Sequence, residues 1–82
     1  MEDHELLERI SVNPEVMTGK PVIKGTRLSV AYVLGLLAHG ASFEEVMDEY
    51  EGVEEDDIRA CLLFAEKSLE DHTFVPLFTS PE

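Results

Sequence analysis

Residues 29–58, SVAYVLGLLAHGASFEEVMDEYEGVEEDDI, carry the punctuation that decides the fold. Ser29 has the chemistry of an N-cap, because its short side-chain oxygen can accept from a free backbone N–H of the first turn. Val30, Val33, Leu34 and Leu37 follow at i, i+3, i+4 and i+7, the spacing of one helix face. The pattern stops near His39, and Gly40 supplies the residue type that commonly closes a helix. Ser42 opens a second helix, and Glu45 three residues on completes a capping box. Phe43, Val46, Met47 and Tyr50 form its apolar face, and Gly52 ends it. A third helix is expected from about Glu54 to Asp71, with Ile58, Cys61, Leu62, Ala65 and Leu69 as its main stripe. Its acidic first turn suits the positive end of a helix dipole.

Short glycine-containing turns between these helices mark either a helix-turn-helix, homeodomain-like trihelical core or a plain three-helix bundle. Spacing does not separate the two. Charge bears on what such a core could bind. A helix that reads bases needs Arg, Lys, Asn or Gln near its first turn. The third helix opens instead with Glu54, Glu55, Asp56 and Asp57, and no Lys or Arg stands between Leu28 and Ile58. Nine of the residues from Glu44 to Asp57 are Asp or Glu. They read as a solvated face, or as a decoy surface for a basic groove on a protein partner.

Upstream, residues 9–28 read as a β-ribbon with loops. Ile10 and Val12 share one side of a short strand, Asn13-Pro14 turns the chain, and Val22-Ile23 form a second strand. Residues 1–8 look polar and frayed apart from Leu6 and Leu7. Within the ribbon, GKPVIKGTR at 19–27 holds Lys20, Lys24 and Arg27, half of the chain's six cations. These three would either meet phosphate, with Gly19 and Gly25 letting the backbone come close, or offset the acidic helices. In the second case Arg27 would bond a carboxylate or a helix C-terminus and lock the ribbon. A P-loop is excluded by the glycine spacing and by the lack of Ser or Thr after the lysine.

The third helix is apolar around more than half its circumference, because Leu63 and Phe64 lie off the main stripe. They call for a second cover. The tail at 72–82, HTFVPLFTSPE, is apolar at Phe74, Val75, Leu77 and Phe78. Either it folds back, or a second chain covers both patches. A homodimer is the expectation, since a domain this small has a marginal core.

At 82 residues the chain is read as one domain, 1–82, made of a ribbon (9–28), a trihelical core (29–71) and an apolar tail (72–82). The fold class expected is mainly α, with a homeodomain-like three-helix core after a short β-ribbon. A formal net charge of −12 opposes long-range attraction to nucleic acid and favours basic protein surfaces. The single cysteine, Cys61, excludes an internal disulfide and fits a reducing compartment. No membrane span or signal-peptide core is evident, so a soluble cytoplasmic protein is expected. His4, His39 and His72 lack metal-ligand spacing, and EGVEEDD lacks the alternating ligands of a Ca²⁺ loop. Cys61 has no histidine close in sequence. No catalytic residue and no cofactor are assigned, and the expectation is not an enzyme.

One further pattern emerges from these pieces. NPEVMTGKPVIKGTRLSV, an apolar helix running to His39-Gly40 with Ser42 beyond, Glu44-Glu45-Val46, Tyr50 and EDDIRACLLFA together resemble the domain of unknown function 433 family. That family is known for a Gly-Lys-Pro-x-Ile-Lys/Arg-Gly-Thr-Arg signature before a homeodomain-like unit. Gly19, Lys20, Pro21, Ile23, Gly25, Thr26 and Arg27 fit the signature, and the resemblance runs from about Ile10 to Leu69. It implies a VapB-like antitoxin that binds a PIN-like ribonuclease toxin, with no catalytic residues of its own. Two positions depart from the family pattern. Glu51 stands where a proline is usual, and Glu54 where Ser or Thr caps the last helix. The rival expectation is a DNA-binding regulator that uses Lys20, Lys24 and Arg27.

Overall fold

A computed structural model describes residues 2–15 and 19–70. In these residues the chain is mainly helical, with four helices and one antiparallel pair of strands: α1 (Asp3–Leu7), β1 (Ile10–Val12), β2 (Pro21–Ile23), α2 (Val30–Ala38), α3 (Phe43–Glu49) and α4 (Glu55–Glu70).

Local chemistry sets the helix ends. Ser29 is extended (φ −76°, ψ 153°), and its Oγ accepts from the Tyr32 N–H at 3.0 Å. At the other end Gly40 takes φ 103°, its N–H reaches the Leu37 carbonyl, and the Ala41 N–H reaches Leu36. That pair of bonds is a Schellman ending, which satisfies carbonyls the helix leaves free. The Ser42 Oγ accepts from the Glu45 N–H at 3.1 Å, and Glu45 Oε1 accepts from the Ser42 N–H at 2.8 Å. The capping box is therefore complete. Before α4, Asp57 Oδ2 accepts from the Glu54 N–H at 2.8 Å. A carboxylate inside the first turn thus holds the N–H of the residue before the helix, one half of a capping box.

The core is Ile23, Val30, Val33, Val46, Val53, Ile58 and Cys61, all buried. Ile10, Leu28, Leu36, Phe43 and Phe64 pack around it, half-buried. The strands pair Ile10 with Ile23, Ser11 with Val22 and Val12 with Pro21, and Val22 also bridges to Ser29. The ribbon is thereby fastened to the start of α2.

Four features differ from the sequence expectations. The N-terminal segment is a helix that packs against α4, closed at its start by Glu5 Oε1 accepting from the Glu2 N–H at 3.0 Å. Five residues are too few to show a helical period, so the sequence conceals it. Val12 does not follow Ile10 into the core but is 57% exposed, because it pairs at the Pro21 end of the ribbon. Val53, read as part of a turn, is a core residue. Leu62 and Leu69, read as stripe residues, are 42% and 67% exposed. Leu69 lies one residue from the end of α4, beyond Phe64, which packs on the core, and Leu62 lies mid-helix beside buried Cys61 but turned toward solvent.

Candidate interaction surfaces

The GKPVIKGTR segment supplies β2 and a pinned bend after it. Gly25 sits at φ 83°, the Ile23 N–H reaches the Leu28 carbonyl at 2.9 Å, and the Lys24 N–H reaches the Arg9 carbonyl at 2.7 Å. Thr26 Oγ1 donates to the Ile23 carbonyl at 2.8 Å and accepts from the Leu28 N–H at 3.0 Å. Lys20, Lys24 and Arg27 are all exposed on it. Among the described residues, no carboxylate lies within 4.0 Å of any of the three. Arg27 therefore does not lock the ribbon by an ion pair there.

Arg9 makes such a pair instead. Its Nη1 donates to Glu54 Oε1 at 3.0 Å and Asp57 Oδ1 at 3.1 Å, and its Nη2 lies 3.9 Å from Asp56 Oδ2. These bonds to carboxylates raise the guanidinium pKa further above its ordinary value. Asp57 is buried and uses both oxygens, one on Arg9 and one on the Glu54 N–H. One of the four acids at the start of α4 is thus internal and neutralised. Glu54 and Glu55 remain exposed, and Asp56 is half-buried. A groove of about 550 Å³ lies here, lined by Glu5, Glu8, Arg9, Lys24, Glu54 and Asp57.

On α3, Glu44, Glu45, Asp48 and Glu49 are exposed, and so is Glu51 beyond it. A second groove, about 500 Å³, runs between the end of α2 and α3, with Leu36, Ala41 and Val46 along it and Glu45, Glu49 and Tyr50 among its lining. Beside it the Tyr32 and Tyr50 hydroxyls are 2.6 Å apart, with the rings edge-to-face at 86°. The bond to Tyr32, with burial behind it, pushes Tyr50 up to about 12.

Of the apolar residues expected to need a partner, Leu63 is half-buried and Phe64 packs on the core. Phe74, Val75, Leu77 and Phe78 lie outside the described residues. The exposed leucines of α4 are Leu62 and Leu69, which sequence reasoning had placed inside.

Other sequence candidates settle into structural roles. His39 Nδ1 lies 2.7 Å from the Gly35 carbonyl. Cys61 is fully buried, and desolvation aided by the Asp57 charge raises its thiol to about 11. Among the described residues no cluster of three His, Cys, Asp or Glu could hold a metal, and no helix is long and apolar enough to cross a membrane. Sequence reasoning missed Arg9 and the role of Asp57. The available signal was an acid three residues after Glu54, the spacing of half a capping box.

The family described as "Protein of unknown function (DUF433)" matches residues 10–65. The chain belongs to that family. A crystal structure of a DUF433 member protein from Anabaena variabilis ATCC 29413 has a TM-score of 0.73 to it and 27% identity, covering 82% of this chain and 66% of that one. The uncharacterized protein y4eO of Sinorhizobium fredii (strain NBRC 101917 / NGR234) is 30% identical over 59 residues. Those residues are 72% of this DUF433 chain but 27% of the relative, so the chain spans about a quarter of that protein's length.

Proposed function

We propose that this DUF433 domain is a protein-binding module, the antitoxin of a toxin–antitoxin pair, whose α2–α4 form a homeodomain-like unit turned from nucleic acid to polypeptide. The observation that carries the reading is the exposed acidic surface of α3 and the start of α4. Glu44, Glu45, Asp48, Glu49, Glu51, Glu54 and Glu55 all face solvent there. Among the described residues Arg9 reaches only Glu54, Asp56 and Asp57. Such a face suits the basic groove of a PIN-like ribonuclease, where opposite charge speeds encounter and occlusion blocks RNA. The test is the product of the gene beside this one, which on this reading is such a nuclease. Its activity should fall stoichiometrically when this chain is added, and Asp48→Lys with Glu49→Lys should slow association most at low salt. If the neighbouring product is no such nuclease, or is unaffected by the chain, the reading fails.

A second reading is favoured by one observation, the three exposed cations without a carboxylate partner among the described residues. Lys20, Lys24 and Arg27 on a pinned loop could contact operator phosphates. Binding to duplex DNA should then weaken with salt, and Lys24→Glu and Arg27→Glu should reduce both affinity and salt slope. No binding by the parent protein at low salt would end this reading.

A further inference from the structure

The groove between the end of α2 and α3 joins an apolar lining to acidic and acceptor groups. Leu36 and Ala41 are half-buried in it, and Val46 is buried. Its exposed side chains are His39, Glu45 and Glu49. Glu45 spends Oε1 on the Ser42 N–H at 2.8 Å, which leaves Oε2. Glu49 has no cation within 4.0 Å among the described residues. His39 Nδ1 lies 2.7 Å from the Gly35 carbonyl, and a carbonyl only accepts, so Nδ1 carries a proton. In the neutral ring Nε2 is then an acceptor as well. The groove also lies at the C-terminal end of α2, the negative end of its dipole.

The walls themselves supply nothing to answer these groups. No Lys or Arg stands between Leu28 and Ile58, and Arg9 and Arg59 are held by carboxylates of α4. A lysine or arginine side chain matches the groove in both its parts. Its methylene stem packs on apolar surface while its charged head stays beside the carboxylates and water. A purely apolar occupant would instead strip water from Glu45 and Glu49 without pairing them. One such cation does not fill about 500 Å³, so its apolar neighbours would cover the rest of the lining.

We infer that this groove seats a lysine or arginine flanked by apolar residues, carried on an exposed segment of a basic partner protein. The inference rests on the protein-binding reading and names which part of the acidic surface grips the partner, and by what chemistry. A net charge of −12 favours encounter with such a partner over a second copy.

The probe is an amphipathic Leu/Lys peptide added to the full isotope-labelled chain. The methyl signals of Leu36, Ala41 and Val46 should shift on titration. A Gly/Lys peptide of equal charge should bind at least about tenfold more weakly, and a Leu/Glu peptide should not bind. Glu49→Lys should weaken Leu/Lys binding at least about tenfold more than Glu51→Lys, which makes the same charge change outside the groove. Glu49 closes α3, where a cation suits the helix dipole, so the variant should fold. Equal weakening by the two variants overturns the inference, since binding would then follow net charge alone. Methyl signals unmoved by the peptide overturn it too. So do shifts that follow protein concentration without peptide, since a second copy would then fill the groove. The peptide reads the groove whether or not the neighbouring product is a nuclease, so the two readings fail separately.

Discussion

Arg9 and Asp57 stand 48 residues apart in sequence, and their side chains meet at 3.1 Å. Asp57 also caps α4, so the same carboxylate starts the helix and ties it to the chain between α1 and β1. Asp57→Ala should cost about 1–3 kcal/mol, because it leaves the Glu54 N–H and the Arg9 guanidinium short of a partner. Arg9→Ala should also destabilise, because it leaves a buried carboxylate short of a partner. The two losses should not add in a double-mutant cycle followed by urea unfolding. High salt should weaken this coupling less than that of the exposed Arg59–Glu55 pair, which serves as the control. Equal sensitivity would mean that Arg9 is only a surface charge.

The Cys61 thiol gives a stability slope in alkali. Unfolded, it ionises near its ordinary 9.0; folded, burial holds the proton to about 11. Between those values the unfolded chain has released a proton that the folded chain keeps. Stability should therefore be level below about pH 9 and fall as the pH rises toward about 11. Urea midpoints across that range should show the decline. Cys61→Ala should make this decline shallower, leaving the share that Tyr50 adds above 10.0, while lowering the curve throughout, since it opens a small cavity.

What the sequence made legible and what it concealed divide by range. Ser29, Gly40, Ser42 and Glu45 act on backbone within a few residues, and their roles could be read from spacing. Arg9 acts across 48 residues, and nothing near it in RISV announces a carboxylate partner. Periodicity correctly put Leu62 and Leu69 on one face. It could not say that the other elements leave part of that face uncovered, because that depends on packing in three dimensions. For the candidate surfaces, the clustering of charge was visible at once. Which charges are spent internally was not: a lock by Arg27 was one of two readings of the ribbon's cations, and the ion pair found is made by Arg9.

Tyr32 and Tyr50 offer a spectroscopic check on how α2 and the end of α3 meet. Their hydroxyls are 2.6 Å apart, and the shared hydrogen bond holds the Tyr50 proton until about 12. In a pH titration followed by phenolate absorbance, Tyr50 should ionise well above the ordinary 10.0 of a free tyrosine. Tyr32→Phe removes the bonding oxygen and should bring Tyr50 back toward that value. A titration unchanged by Tyr32→Phe would show that the hydroxyls do not meet in solution.

Gly25 and Gly35 should respond to alanine with opposite signs, although a Cβ would meet nothing within 4 Å at either. Sterics against neighbours therefore cannot decide the outcome, and backbone conformation does. Gly25 holds φ 83° at the bend between Lys24 and Arg27, a region where an L side chain crowds its own carbonyl. Gly25→Ala should destabilise by about 1–2 kcal/mol. Gly35 lies inside α2, where glycine contributes only the freedom of the unfolded chain. Gly35→Ala should stabilise by about 0.5–1 kcal/mol. Thermal or urea unfolding of the two variants reads both signs. If Gly25→Ala proved neutral, the loop would not hold the bend that presents Lys24 and Arg27, and the DNA-binding reading would lose its rigid platform.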